Sequence, residues 1–312
     1  MKVLFFGTPE FAAVCLEKIL LTDHEIAGVV CQPDKPRGRG RKVAIAEVKQ
    51  AAIEKKLKIL QPENLKDPFF LNELKTLEAD FFCVVAFRIL PEEIFSMPPK
   101  GCVNLHASLL PKYRGAAPIN WALINGENET GLTTFFIRKK IDTGDILMQR
   151  KIAIGPDETF DELYGRMAEA GGDLIVETMS KIESGDYSTI KQNDKEASKA
   201  PKIYPELGKI DWKKSANEIH NLIRGLTPKP GAYTVFSGNK IIIVKSKVVD
   251  NPDNAGPGKV LLADPKKGLI VGCGKRALEL LQVKPASRKV MTGAEFVRGK
   301  RIKEGILFGE EI

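Results

Sequence analysis

Residues 80–86, DFFCVVA, run apolar from Phe81 to Ala86 after a single acidic residue. A run this short, rich in aromatic and β-branched side chains, suits a strand covered on both faces, as in the middle of a parallel sheet. A helical stretch around 68–78 precedes it, PEEIFSM (91–97) follows as a short helix, and CVNLH (102–106) reads as the next strand. Upstream, KVLFF (2–6) is a strand and EFAAVCLEKILL (10–21) a helix with apolar residues on one face. IAGVVC (26–31) is a second strand, AEVKQAAIEKKL (46–57) a helix and KIL (58–60) a short strand. This alternation predicts an α/β fold with a Rossmann-like, doubly wound open sheet, in which ligands lie beyond the carboxyl ends of the strands.

Further on, GLTTFFI (131–137) and ILMQRKIAI (146–154) read as strands joined by a turn containing IDTGD, and a long helix over 159–184 closes the unit. The tract 184–208 is polar and unpatterned with two prolines, a linker by composition. SANEIHNLIRGL (215–226) is then helical. AYTVF, KIIIVKSKVV, GKVLLA, GLIVGCG and ALELLQV follow as short strands punctuated by Gly and Pro. That spacing predicts a small C-terminal β-barrel of the oligonucleotide-binding (OB-like) type. The expected division is a catalytic domain over 1–187, a linker over 188–206 and a basic domain over 207–312.

A chain of 312 residues favours two domains, and 43% hydrophobic with 28% charged residues is an ordinary globular composition. No apolar run reaches membrane-spanning length, so no membrane role is expected. MKVLFF turns into GTPE too soon for a secretory leader, so the protein is expected in the cytoplasm. The five cysteines lack C-x-x-C spacing and read as small buried hydrophobes. The three histidines stand far apart without ligand partners, so no metal is expected. The net charge of +8 is uneven: residues 1–204 hold 28 Lys+Arg against 29 Asp+Glu, whereas 205–312 hold 20 against 11. A basic module beside a neutral one points to a polyanionic partner, with a solvated lysine surface as the plain alternative. No obligate protein partner is evident.

Asn104 and His106 lie two apart on the expected strand 102–106, so both side chains project to one face at its carboxyl end. An amide and an imidazole there are poor core material. With Asp142 of the IDTGD turn they suit acyl transfer to an amine. Asn104 and a protonated His106 would donate hydrogen bonds to the developing oxyanion. Asp142 would hold the imidazolium or take the amine's proton through water. Ser108, with no second histidine beside it, does not read as a nucleophile. QPDKPRGRGRK (32–42) places Lys35, Arg37, Arg39, Arg41 and Lys42 among glycines and prolines, a composition suited to phosphate contacts on RNA. FGTPEFAA (6–13) lacks the later glycines of a dinucleotide fingerprint, although Asp34 could imitate its ribose-reading acid.

NLHASLLPKYRGAAP (104–118) followed by IDTGD resembles the signature of the folate-dependent formyltransferase family. The resemblance runs the length of the chain, through FFGTPEFA, QPDKPRGRGRK, ETGLTTF and IDWKKSANEIHNLIRGLTPKPGAY. The basic loop and the last stretch are what resemble the tRNA-acting branch. It implies transfer of formyl from 10-formyltetrahydrofolate, as cosubstrate, to the α-amine of methionyl initiator tRNA for translation initiation. It makes Asn104, His106 and Asp142 the catalytic trio. It also implies a folate pocket lined by Val85, Phe87, Arg88, Ile89 and Leu90 and by Ser108, Leu109, Leu110 and Pro111. Arg39 occupies the position that meets the acceptor stem beside the first base pair. The chain departs from the pattern at AFRILP (86–91), one residue shorter than A-Y-G-x-I-L-P, with Arg88 in place of a small residue.

Other acceptors, such as a glycinamide ribonucleotide or a sugar nucleotide, or hydrolysis of the formyl folate, would need the same trio but have no evident use for the basic loop and module. A noncatalytic RNA-binding protein would explain the charge but not the trio.

Overall fold

The structure is a computed structural model that describes residues 1–37, 42–251 and 256–309, with the backbone alone at 35–37 and 42–44. The chain divides into two compact units. The first comprises Met1–Ala116, Thr130–Ile152 and Tyr164–Ala200, and the second Ala117–Glu129, Ala153–Leu163 and Pro201–Ile312.

In chain order come β1 (Lys2–Gly7), α1 (Glu10–Ile19), β2 (Glu25–Val30), a hairpin of β3 (Lys35–Arg37) and β4 (Lys42–Ala44), and α2 (Glu47–Glu54). Then follow β5 (Ile59–Leu60), α3 (Pro68–Thr76), β6 (Phe81–Val85), α4 (Glu92–Phe95) and β7 (Cys102–His106). Local chemistry fixes several boundaries. Asp67 caps α3 by accepting from the Phe69 N–H, and Pro68 stands at the first turn, where its missing donor costs nothing. At Gly7 an added Cβ would lie 2.6 Å from the Ala12 Cβ, so the turn from β1 into α1 closes tightly only with glycine.

After β7 come β8 (Arg114–Gly115), α5 (Pro118–Ile124), β9 (Glu129–Phe136), β10 (Ile146–Ala153), α6 (Phe160–Ser184) and β11 (Lys199–Ala200). Among the described residues the main sheet has seven strands in the order β10-β9-β7-β6-β1-β2-β5. β7, β6, β1, β2 and β5 run parallel, and β9 runs antiparallel to β7. From β1 the chain winds first to β2 on one side and later to β6 on the other, so the switch point lies between β1 and β6. Phe81 to Val85 are all buried, as the opening stretch requires, and Phe6 packs on Phe82 with ring centroids 5.3 Å apart. Burying each such phenylalanine contributes about 1.5–3 kcal/mol. The switch point and the ends of β6 and β7 therefore rest on a dense core.

Within the expected linker 188–206, residues 188–200 make contacts with the first unit. Ile190 bridges to Ile146, and β11 pairs in parallel with β8. The tract has too few apolar side chains to look structured, but its backbone and polar groups find partners in the first unit.

In the second unit, Ser215 and Glu218 form a capping box at the start of α7 (Ala216–Leu226). The strands β12 (Ala232–Phe236), β13 (Asn239–Val249), β14 (Val260–Asp264), β15 (Gly268–Gly272), β16 (Ala277–Pro285) and β17 (Met291–Thr292) and the helix α8 (Gly293–Lys300) complete it. The pairings are antiparallel in the order β12-β13-β16-β15-β14, with β17 beside β16. Register shifts around Lys245 bend the long β13. Ile219, Ile223, Ile243, Leu278, Leu280 and Phe296 form its core. No helix among the described residues is long and apolar enough to cross a membrane.

Candidate active site

Asn104 and His106 sit on one face of β7, as their spacing requires, with His106 opposite Thr133 of β9. The His106 Nε2 lies 2.9 Å from the Tyr113 carbonyl oxygen. A carbonyl only accepts, so Nε2 carries the proton and donates it there, which leaves Nδ1 as the second functional nitrogen. That Nδ1 stands 3.9 Å from Oδ2 of Asp142. Asp142 lies in the loop between β9 and β10 with φ at 52°, a left-handed conformation that Asp adopts more readily than most residues. Its Oδ2 accepts from the Gly115 N–H at 2.9 Å. The end of β7 and the loop between β9 and β10 thus bring imidazole and carboxylate together at nearly buried positions, with side-chain exposures of 7% and 12%. Asn104 is half-buried, and no protein group among the described residues hydrogen-bonds its side-chain amide. Such an amide at a strand end is free to meet a ligand oxygen.

Ser108 is fully buried and its hydroxyl donates to the Lys112 carbonyl at 2.6 Å, a scaffold role in keeping with its rejection as a nucleophile. The Leu110 N–H donates to Thr133 Oγ1, and Leu110 packs with Phe135 and Ile146. Leu109 lies against Gly131, where an added Cβ would come within 2.4 Å of its side chain. The turn through Pro111 is therefore shaped by internal contacts.

Val85 ends β6 buried, beside Leu105 of β7. Phe87 meets Phe6 edge-on at 5.6 Å, Leu90 is buried and Ile89 is 69% exposed. Arg88, the departure from the family pattern, donates to the carbonyl oxygens of Pro62 at 2.7 Å and Glu63 at 3.0 Å, with its guanidinium over the Phe87 ring. Its Nε is buried without a hydrogen-bond partner, and burial pulls its pKa below the ordinary arginine value. A cavity of about 420 Å³ lined by Leu74, Phe82 and Met97 lies near the start of β6 and contains none of these residues.

Lys35, Arg37 and Lys42 belong to the β3–β4 hairpin, where Arg37 pairs with Lys42. Arg39 and Arg41 lie outside the described residues. Asp34 is held by Lys49 and Gln61, and the Lys49 ammonium brings its pKa below the ordinary carboxylate value. It is thus engaged within the protein and unlike a free ribose-reading acid. Among the described residues no group of three or more His, Cys, Asp or Glu could hold a metal.

Sequence reasoning missed Tyr113, Gly115, Arg114 and Gln192. The first two act through backbone atoms, which leave no side-chain signature. Gln192 lies in the tract read as a linker, where a polar side chain among mostly polar neighbours carries no signal of its own.

The Formyl transferase family matches residues 1–179, and the Formyl transferase C-terminal domain matches residues 202–301. A methionyl-tRNA formyltransferase of Caldanaerobacter subterraneus subsp. tengcongensis is 47% identical over 309 residues, covering 98% of this chain and 99% of that protein. Among solved structures, a methionyl-tRNA formyltransferase from Clostridium thermocellum aligns with a TM-score of 0.54 at 17% identity over 79% of this chain and 93% of that one. An N-formyltransferase from Helicobacter canadensis, in complex with folinic acid and dTDP-3-aminofucose, aligns with a TM-score of 0.66 at 23% identity over 90% and 99%.

Proposed function

The chain belongs to the formyl transferase family, and from that membership we infer that it is an enzyme carrying the formyl group of 10-formyltetrahydrofolate to the α-amine of methionyl-tRNA. The acceptor in this reading is the initiator species, so that the product begins translation in the cytoplasm. The observation that carries the mechanism is the approach of Asp142, in the loop between β9 and β10, to His106 at the end of β7, 3.9 Å apart.

Bound 10-formyltetrahydrofolate supplies an activated formyl group. The residues at the end of β7 fit it, because the unengaged Asn104 amide is a donor without a protein acceptor. As the amine attacks, negative charge builds on the formyl oxygen. Asn104 Nδ2 and the Nδ1–H of a protonated His106 are the donors that meet it, and preorganised donors of this kind need no reorientation during reaction. His106 keeps its ring fixed through Nε2 and Tyr113. The Asp142 carboxylate complements the imidazolium charge, takes the amine's proton through water and would return it through water to the folate nitrogen as the bond from the formyl carbon to that nitrogen breaks.

Val85, Phe87, Arg88, Ile89 and Leu90, with Ser108, Leu109, Leu110 and Pro111, line the folate pocket in this reading. Lys35, Arg37, Arg39, Arg41 and Lys42 engage the tRNA, with Arg39 beside the first base pair of the acceptor stem. Residues 1–187 carry the chemistry and 207–312 bind the tRNA. The excess of 20 basic over 11 acidic residues within 205–312 supports that division.

The test is incubation with 10-formyltetrahydrofolate and charged initiator tRNA, scoring formylmethionine against charged elongator tRNA and small amines. Formylation confined to the initiator, weakening steeply with added salt, is expected. Equal use of a small amine with a flat salt response would overturn the tRNA reading.

A further inference from the structure

One side chain from the polar tract after α6 reaches both loops of the candidate site. Gln192 Nε2 donates to the Asp142 carbonyl oxygen at 3.0 Å and to the Gly144 carbonyl oxygen at 2.8 Å. Its Oε1 accepts from Arg114 Nε at 3.0 Å and from Arg114 Nη2 at 2.7 Å. Two donors and two acceptor sites are the whole capacity of a carboxamide, and all four are used. The orientation is unique, because carbonyl oxygens only accept and a guanidinium only donates.

The groups so tied are those that set the catalytic geometry. Arg114 lies between Tyr113, whose carbonyl fixes the His106 ring, and Gly115, whose N–H holds the Asp142 carboxylate. Arg114 is further held by Asp194 at 2.8 Å. The same tract grips this loop through its backbone: the Tyr113 N–H donates to Ser198 Oγ and the Arg114 N–H to the Ser198 carbonyl, each at 2.9 Å. On the other side, Asp142 holds a left-handed conformation, and residues so placed persist only where neighbours pin them. The bonds between Phe136 and Asp145 and between Arg138 and Asp145 fix the ends of that loop. Gln192 fixes its middle.

We propose that Gln192 is a positioning residue for formyl transfer, locking the Asp142 loop to the Tyr113–Gly115 loop so that carboxylate and imidazole keep their separation. It touches no reacting atom in this role, and the inference rests on the reading of Asp142 and His106 as the catalytic pair. The distance between those two groups then depends on a residue 50 positions beyond Asp142 in the chain.

The test uses the full-length enzyme with 10-formyltetrahydrofolate and charged initiator tRNA. Gln192→Leu removes all four bonds at similar volume. Gln192→Glu keeps an acceptor for Arg114 but sets a carboxylate oxygen against the two carbonyls. Both should lower kcat about 10- to 100-fold, the range for misplacing a catalytic group by about an ångström, with KM for tRNA and folate within about twofold. In an Asp142→Ala background, Gln192→Leu should add less than about twofold in single-turnover rate, because the group it positions is gone. If Gln192→Leu does not fold, Gln192→Glu is judged by the same criteria. A kcat within about threefold of the parent in the folded variants would overturn the proposal. So would a full further loss in the Asp142→Ala background. Parental activity in Asp142→Ala alone would instead overturn the catalytic reading, and this inference with it.

Discussion

The imidazole of His106 and the carboxylate of Asp142 face each other at 3.9 Å although 36 positions separate them in sequence, and a neighbouring backbone group holds each, the imidazole through its far nitrogen Nε2 and the carboxylate through the same Oδ2 that faces the ring. The Tyr113 carbonyl holds one ring nitrogen and the Gly115 N–H one carboxylate oxygen. The turn after β7 thus serves both partners, which makes their separation a property of that turn as much as of the two residues.

Asn104 completes the set from a different starting point, since its amide has no hydrogen bond to protein among the described residues. Asn104→Ala should therefore leave the melting temperature nearly unchanged. Removing one oxyanion donor should lower kcat about 10²- to 10³-fold, or about 3–4 kcal/mol of barrier. Steady-state kinetics beside a thermal melt separates the two effects, and a large loss of stability would show that the amide has a structural task.

Ser108 gives the opposite pattern. Its buried hydroxyl donates to the Lys112 carbonyl, so Ser108→Ala leaves that oxygen without its partner and should cost about 1–3 kcal/mol of stability. Activity of the folded variant should fall by less than about tenfold, far short of the roughly 10⁶-fold loss of a serine nucleophile. Urea unfolding with kinetics on the same preparation checks both.

His220 predicts a pH dependence of stability in the second unit. Its Nδ1 lies 3.0 Å from Ser246 Oγ and its Nε2 3.3 Å from Asp157. Burial pushes its pKa below the ordinary value of 6.5, and the Asp157 carboxylate opposes that shift only in part. Below that ordinary value the unfolded chain binds a proton that the folded chain resists, so this contribution is present above it and is lost as pH falls through the folded value. Urea melts at pH 7.5 and pH 5.5 should show lower stability at the acid value. His220→Asn should remove part of the difference, and an unchanged difference would contradict the assignment.

Gly225 tests the packing of α5 on α7 within that unit. Alanine is normally preferred to glycine inside a helix by about 1 kcal/mol. Here an added Cβ would stand 2.7 Å from Ile124 Cγ1 and 3.2 Å from the Asn120 carbonyl oxygen. Overpacking costs about 1–3 kcal/mol and should win, so Gly225→Ala should destabilise the protein in chemical denaturation.

The strand and helix order of the first unit was readable because β1, β6 and β7 carry short apolar runs and α1 and α2 carry one-sided patterns. Strand β12 falls on the AYTVF stretch, and the turn after β1 on its glycine. The pairing of Asn104 with His106 was readable because a strand's period of two fixes which side chains share a face. Asp142 could be proposed but not placed, since nothing local sets where a loop between strands folds. Gln192 and the pairing of β11 with β8 were out of reach for another reason. A polar tract that docks through backbone bonds and the polar side chains of Gln192, Asp194 and Ser198 has the composition of a tract that does not dock at all. Arg88 was a visible anomaly, yet its carbonyl partners at Pro62 and Glu63 depend on tertiary neighbours.

The most direct measurement is single-turnover formyl transfer by Asp142→Ala, made beside its affinity for charged initiator tRNA. If the carboxylate facing His106 takes part in the chemistry, transfer should fall by at least about 10³-fold while tRNA affinity stays within about twofold. Transfer at the parental rate by a folded variant, or a rate loss accounted for entirely by weakened tRNA binding, would contradict it.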